Sequence, residues 1–171
     1  MGVDGSKSEL RRQLAPRTHA LQRLPMRDLS YTARFTHEQI KGMRAIDPIL
    51  FMATNPATHD FMWWSILEMG EDAPDGLYTA LTFLAWPACG DDADEAPATP
   101  AERLQDFKRR AALFVDPMRS IMLAIPDDAT SFEVKIADWD KVEWDSLGGR
   151  ATLAGDAAHA MTMCRRPMIL A

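Results

Sequence analysis

Cysteine is nearly absent from these 171 residues. Cys89 and Cys164 form no metal-type pair and no disulfide framework, so a reducing, cytoplasmic setting is the default expectation. Metal-binding spacing such as His-Glu-x-x-His does not occur, and no metal is expected. Hydrolase signatures are missing as well: there is no Gly-x-Ser-x-Gly, and His19, His37, His59 and His159 are scattered with no nucleophile beside them. No apolar run approaches the roughly eighteen residues of a membrane span, and the polar stretch 1–7 has no signal-peptide core. Positive charge is sparse, 19 Lys and Arg against 25 Asp and Glu for a net −6. Basic runs never exceed the pairs Arg11-Arg12, Arg109-Arg110 and Arg165-Arg166, which argues against a nucleic-acid partner. Among the nine glycines there is no Gly-x-Gly-x-x-Gly, and no strand is expected before Asp4-Gly5, so a self-contained dinucleotide fold is excluded.

What is present reads as one ordinary soluble domain by size, 47% hydrophobic and 26% charged. Ser6 with Glu9 three residues on predicts a capping box, and Leu10 and Leu14 give that helix one apolar face until Pro16 stops it. Residues 18–35 alternate weakly, through Leu21, Leu24, Leu29 and Tyr31, and read as one or two edge strands with a turn at 25–28. Thr36 with Gln39 predicts a second capping box and a short helix over 37–46, ended by Asp47-Pro48. Residues 49–54, 60–69 and 77–86 read as strands, the last two forming an antiparallel hairpin. Trp63, Trp64, Tyr78 and Phe83, with Met52, Met62 and Met69 nearby, are either plain core or the lining of a pocket for a bulky apolar ligand.

The acidic stretch 89–100, with Asp91, Asp92, Asp94 and Glu95, lacks the glycine and terminal Glu of a calcium loop and reads as a solvated insertion. Thr99-Pro100-Ala101-Glu102 combines a Thr cap, Pro at the first helical position and Glu at the third. Leu104, Phe107, Ala111 and Phe114 form the buried face of that helix, with Arg103, Lys108, Arg109 and Arg110 toward solvent. A short helix over 118–124 and a strand over 132–136 follow, and then Trp139 and Trp144 on either side of a polar turn. The fold class is α+β: a mixed or antiparallel sheet with covering helices.

Two short stretches carry the chemistry. Ala151 to Ala154 reads as a buried strand that ends at Gly155-Asp156 among small residues. Gly-Asp is an ordinary turn pair, but a strand ending among small residues is also where α/β folds admit a ligand. Asp4-Gly5-Ser6-Lys7 opens the first helix, whose free amides suit an anion.

Together these stretches resemble a known family. Asp4-Gly5-Ser6-Lys7-Ser8-Glu9-Leu10-Arg11 is similar to the Asp-Gly motif, and Gly149 to Met161 to the Gly-Asp motif, of p-hydroxybenzoate hydroxylase-like FAD-dependent monooxygenases, especially fungal ones. The motifs stand in the family's order, separated by a strand-rich segment of suitable length. The resemblance implies that Asp156 hydrogen-bonds the ribityl chain of FAD, aided by the Gly155 and Ala157 backbone. It also implies that Asp4, Gly5 and Arg11 belong to the cofactor site. Residues 1–15 and 146–171 would be pieces of an FAD-binding domain, and 16–145 a substrate-binding α+β domain. The activity implied is hydroxylation or epoxidation of a small apolar or aromatic organic substrate with NAD(P)H and O2. Similarity stops at both ends: no Gly-rich loop precedes Asp4, and Thr162 and Arg165 still fit but the residues from Arg166 onward do not. A fragment is therefore expected, and the alternative reading is a non-catalytic ligand- or protein-binding remnant of such an enzyme.

Overall fold

A computed structural model describes residues 1–88, 97–133, 136–140 and 143–161. In chain order these form α1 (Glu9–Leu14), β1 (Gln22–Arg23), β2 (Met26–Phe35), α2 (His37–Arg44), β3 (Leu50–Thr54), β4 (Phe61–Glu68), β5 (Tyr78–Pro87), α3 (Pro100–Ala111), α4 (Met118–Leu123), β6 (Ser131–Phe132), β7 (Ala137–Asp138) and α5 (Asp156–His159). The mixture of helices with antiparallel strands is α+β, as the sequence predicts. No helix among the described residues is long and apolar enough to cross a membrane. Residues 25–134 form one compact unit, and residues 1–24 with 135–171 form another.

The unit of residues 25–134 is a five-stranded sheet in the order β3-β4-β5-β2-β6. Its ladders are antiparallel and nearly unbroken: β2 pairs with β5 from Met26↔Pro87 to Phe35↔Tyr78, and β4 with β5 from Phe61↔Ala85 onward, with one register shift at Ile66/Glu68. Because side chains alternate across a strand, each register row assigns residues to a face. One face carries Leu29, Tyr31, Ala33 and Phe35 from β2, Tyr78, Ala80, Leu84 and Trp86 from β5, and Met62 and Trp64 from β4, all buried.

Helix α3 supplies Leu104, Phe107 and Ala111 to the same core, and Phe107 meets Tyr31 edge-on at 4.8 Å. Helices α2 and α4 add Ile40, Met43, Ile121 and Met122. Both predicted capping boxes of this unit form, Thr36 with Gln39 and Thr99 with Glu102. α2 stops at Arg44 rather than 46, and α3 ends at Ala111, so Phe114 joins the core from beyond the helix. Arg110 does not lie on the wet side: its guanidinium stacks over Trp86 at 4.1 Å and reaches the buried Asp60 carboxylate at 3.2 Å. Burial pushes the Asp60 carboxyl up, and the Arg110 charge opposes that rise.

The segment 18–35 holds the largest departure from the sequence reading. No turn sits at 25–28; β2 runs straight through it from Met26, and it is an interior strand with β5 on one side and β6 on the other. Its alternation is masked because Asp28 and Ser30, on the face opposite Tyr31, are buried too. The strand expected over 132–136 is represented by Ser131–Phe132, with Phe132 exposed and Val134 and Lys135 outside the described residues. The acidic stretch with Asp91, Asp92, Asp94 and Glu95, both cysteines, Thr162 and Arg165 also lie outside them.

Candidate functional site

The site is assembled in the unit formed by the two ends of the chain. Gly2 makes a parallel bridge with Leu153: its N–H donates to the Thr152 carbonyl at 2.8 Å, and its carbonyl accepts from the Ala154 N–H at 2.9 Å. The apolar run 151–154 is thus a single bridge rather than a strand. A side chain at position 2 would crowd two leucines: an added Cβ would lie 2.8 Å from Leu10 Cδ2 and 3.0 Å from Leu153 Cδ2. The bridge places the Asp4-Gly5 loop beside the Gly155-Asp156 turn.

Helix α1 is capped by Ser8, not Ser6; the Ser8 hydroxyl accepts from the Arg11 N–H at 3.0 Å and donates to Asp4 Oδ1 at 2.5 Å. Asp4 Oδ2 accepts from the amides of Glu9 (2.8 Å) and Leu10 (3.4 Å). These bonds, the Ser8 hydroxyl first, hold the Asp4 carboxyl below its ordinary value. Asp4 is therefore the anchor of a helix N-terminus, with both oxygens engaged.

Arg11, only 3% exposed, faces the other way. Its Nη1 donates to the carbonyls of Asp156 and Ala157, each at 3.2 Å, its Nε to the His19 carbonyl at 3.1 Å, and its Nη2 to the Ser6 carbonyl. The guanidinium also lies over the Trp139 ring at 4.9 Å. Burial pushes its pKa down, and the Asp4 charge partly opposes this. Trp139 is fixed in turn, its Nε1 donating to the Thr18 carbonyl at 2.5 Å, its own N–H donating to the Ala160 carbonyl, and its ring 6.3 Å from that of Trp144. Leu14, Ala15, Leu153, Ala157 and Ala160 complete a small apolar cluster around it.

On this scaffold Gly155, with φ 59° and ψ −146°, turns the chain into the one-turn helix α5, and Asp156 starts that helix exposed. Such backbone is essentially open only to glycine, and no atom lies within 4 Å of where its Cβ would be. Among the described residues the result is an exposed carboxylate beside bare backbone, an acceptor that fits the hydroxyls of a polyhydroxylated ligand. The six residues named from sequence, Asp4, Gly5, Arg11, Gly155, Asp156 and Ala157, are thus brought into one unit. Gly2, Ser8 and Trp139 support them and were not singled out as site residues.

The proposed apolar pocket residues do not share a surface. Trp64 and Tyr78 belong to the core face of the sheet, whereas Trp63 and Phe83, register partners, stand on the opposite face with Met52 next to Trp63. A pocket of about 590 Å3 bounded by Ala101, Leu104, Gln105, Lys108, Arg109 and Asp127 contains none of the cofactor-site or apolar-pocket residues expected from the sequence.

No family model matches the chain. It is 38% identical over 171 residues to "FAD-dependent monooxygenase dbaB" of Emericella nidulans, covering 96% of this chain and 43% of that protein. It is 32% identical to "Probable FAD-dependent monooxygenase" of Arthroderma benhamiae, covering 96% and 42%. The chain thus spans about two-fifths of the length of these curated relatives. Among solved structures, Klebsiella pneumoniae HpxO complexed with FAD and uric acid superposes with a TM-score of 0.59 at 16% identity, over 91% of this chain and 35% of that one. 2,6-Dihydroxypyridine-3-hydroxylase from Arthrobacter nicotinovorans gives 0.57 at 17%, over 92% and 42%. These two likenesses concern the fold.

Proposed function

From a chain that is a relative of fungal FAD-dependent monooxygenases across 96% of its length, we propose that it forms the part of such an enzyme that receives FAD and carries the substrate-facing sheet. The supporting observation is the fastening of the Asp4-Gly5 and Gly155-Asp156 motifs by the Gly2–Leu153 bridge and by Arg11, with the Asp156 carboxylate left exposed. Asp156 accepts hydrogen bonds from the ribityl hydroxyls, and Gly155 and Ala157 leave the backbone open to close approach. Asp4 and Gly5 shape the neighbouring loop. FAD, when bound, supplies the redox chemistry: one O2 and one NAD(P)H with a proton give a hydroxylated or epoxidised product, water and NAD(P)+. The protein supplies orientation and apolar walls. Met52, Trp63, Leu81 and Phe83, which share the face of the sheet away from its core, offer such a wall to a small aromatic or apolar substrate.

The test is to purify the chain with added FAD and record the visible spectrum and NADPH oxidation. A bound flavin band that is lost in Asp156→Ala, with FAD affinity at least tenfold weaker, is the expected result. A folded, colourless protein would instead favour a non-catalytic binding module.

A further inference from the structure

We propose that the outer edge of β3 is a self-complementary interface, through which two copies of this chain join their sheets into one. The interface follows from strand geometry and does not depend on the flavin reading.

β3 has β4 on one side and, among the described residues, no strand on the other. Backbone groups along a strand point to alternate sides, and two hydrogen bonds fix which residues point outward. The Asn55 N–H donates to the Asp60 carbonyl at 2.8 Å, and the Ile49 carbonyl accepts from the Ile66 N–H at 2.8 Å. Residues 49, 51, 53 and 55 therefore face β4, and Leu50, Met52 and Thr54 turn their N–H and C=O groups outward. The Leu50 N–H donates to Asp47 Oδ1 at 2.9 Å. That leaves the Leu50 carbonyl and both groups of Met52 and of Thr54, none with a partner among the described residues. Edges of monomeric sheets are usually blunted by charge, proline or a bulge. Leu50–Thr54 has no charged residue and no proline, its register with β4 is unbroken, and Met52 is 57% exposed.

The occupant that fits is a second copy of the same edge. In an antiparallel pairing about a two-fold axis at Met52, the two Met52 residues exchange a pair of N–H···O=C bonds. Each Thr54 N–H then donates to the Leu50 carbonyl of the other copy. The amide already given to Asp47 lies at the end of this ladder, so only the outermost bond is lost. Side chains match row by row, Met52 against Met52, Leu50 against Thr54 and Phe51 against Ala53, with no like charges opposed. Such a self-match is what an isologous contact requires. A stable interface hides roughly 800 Å2 per partner, more than five edge residues supply. Ile46 and Ile49, both exposed, lead into β3. Leu113, exposed too, is tied to its far end, the Leu113 carbonyl accepting from Asn55 Nδ2 at 2.9 Å. These residues add apolar area beside the ladder.

The experiment follows the whole chain by sedimentation velocity and by residue-resolved hydrogen exchange over about a hundredfold dilution. A dimer should give way to monomer, and protection of the Met52 and Thr54 amides should fall at least tenfold with it. The Phe51 and Ala53 amides, which face β4, should keep theirs. Met52→Pro removes only an outward N–H, and Met52→Lys sets two cations against each other, so both should leave a folded monomer. A chain that is monomeric at every concentration, or a dimer whose Met52 and Thr54 amides exchange freely, would overturn the proposal. Protection of these two amides that persists in the monomer would mean that the same chain covers the edge, and would overturn it as well. The wild-type measurements decide the matter even where a variant fails to fold.

Discussion

The two units of this chain reach order by opposite means. In residues 25–134, ladders such as β2–β5 run ten rows without a break, and the core is filled by neighbours that the ladders themselves place. Among the described residues, the unit made from the chain ends has one isolated bridge, one two-row ribbon and a small apolar cluster; what joins its segments is a set of polar fastenings centred on Arg11 and Trp139. Apolar burial is non-directional and tolerant, whereas a guanidinium bound to four carbonyls is directional and fails all at once. The unit with the exposed carboxylate is the one held by the second kind of force. Directional fastening is concentrated in the unit that carries the exposed carboxylate, and apolar burial in the other.

The strongest way to break this contrast is Trp64→Ala. Trp64 is fully buried at the centre of the sheet's core, and its truncation should cost about 3–5 kcal/mol in urea unfolding followed by circular dichroism. Coupled folding of the two units predicts that both lose protection; survival of 151–160 protection would show that the end unit stands alone. A milder pair sharpens it. Ser8→Ala and Thr99→Ala each remove an N-cap hydroxyl and should each cost about 1 kcal/mol. The Ser8 loss should appear as faster exchange confined to 1–14 and 151–160, and the Thr99 loss as a lower global midpoint.

Acid gives the smallest and most local effect. The Asp4 carboxyl lies below its ordinary 3.8 in the folded chain, so its contribution is present above that value and is lost as pH falls through the lower folded value. Asp60 is shifted the opposite way by burial, so protonating it removes nothing that acid would otherwise take. Exchange at residues 5–10 should therefore rise below about pH 3.8 before that of β4 and β5. Simultaneous opening would contradict the assignment.

Local chemistry was legible and distant pairing was not. The Thr36 and Thr99 capping boxes are complete within four residues, and the hairpin of β4 and β5 follows from two adjacent apolar runs. The sequence pointed to Ser6 as the cap of α1, but the cap is Ser8, to which Asp4 reaches across as it does to the first amides of the helix. β2 escaped notice as one interior strand because its second face buries Asp28 and Ser30, which read as turn and edge residues. Adjacent Trp63 and Trp64 look like one aromatic patch in the sequence, yet a strand sends neighbours to opposite faces. The cofactor motifs were recognisable as words, but the role of Arg11 depends on carbonyls at 156 and 157, and a carbonyl leaves no mark on composition or periodicity.

The two-row ribbon of β1 and β7 has a bearing on when the site can exist. Gln22 and Arg23 pair with Asp138 and Ala137, and the Leu24 N–H donates to the Ile136 carbonyl, so the outgoing and returning strands run side by side. Closing a flexible loop on the order of a hundred residues carries an entropic cost that grows with the logarithm of its length, about (3/2)RT ln n. A formed sheet shortens that loop to a few residues. The ribbon works like the clasp of a necklace that fastens only after the beads are strung. On this ground carboxylate, bare turn and guanidinium are expected to come together after the sheet has formed, which exchange labelling during refolding would check.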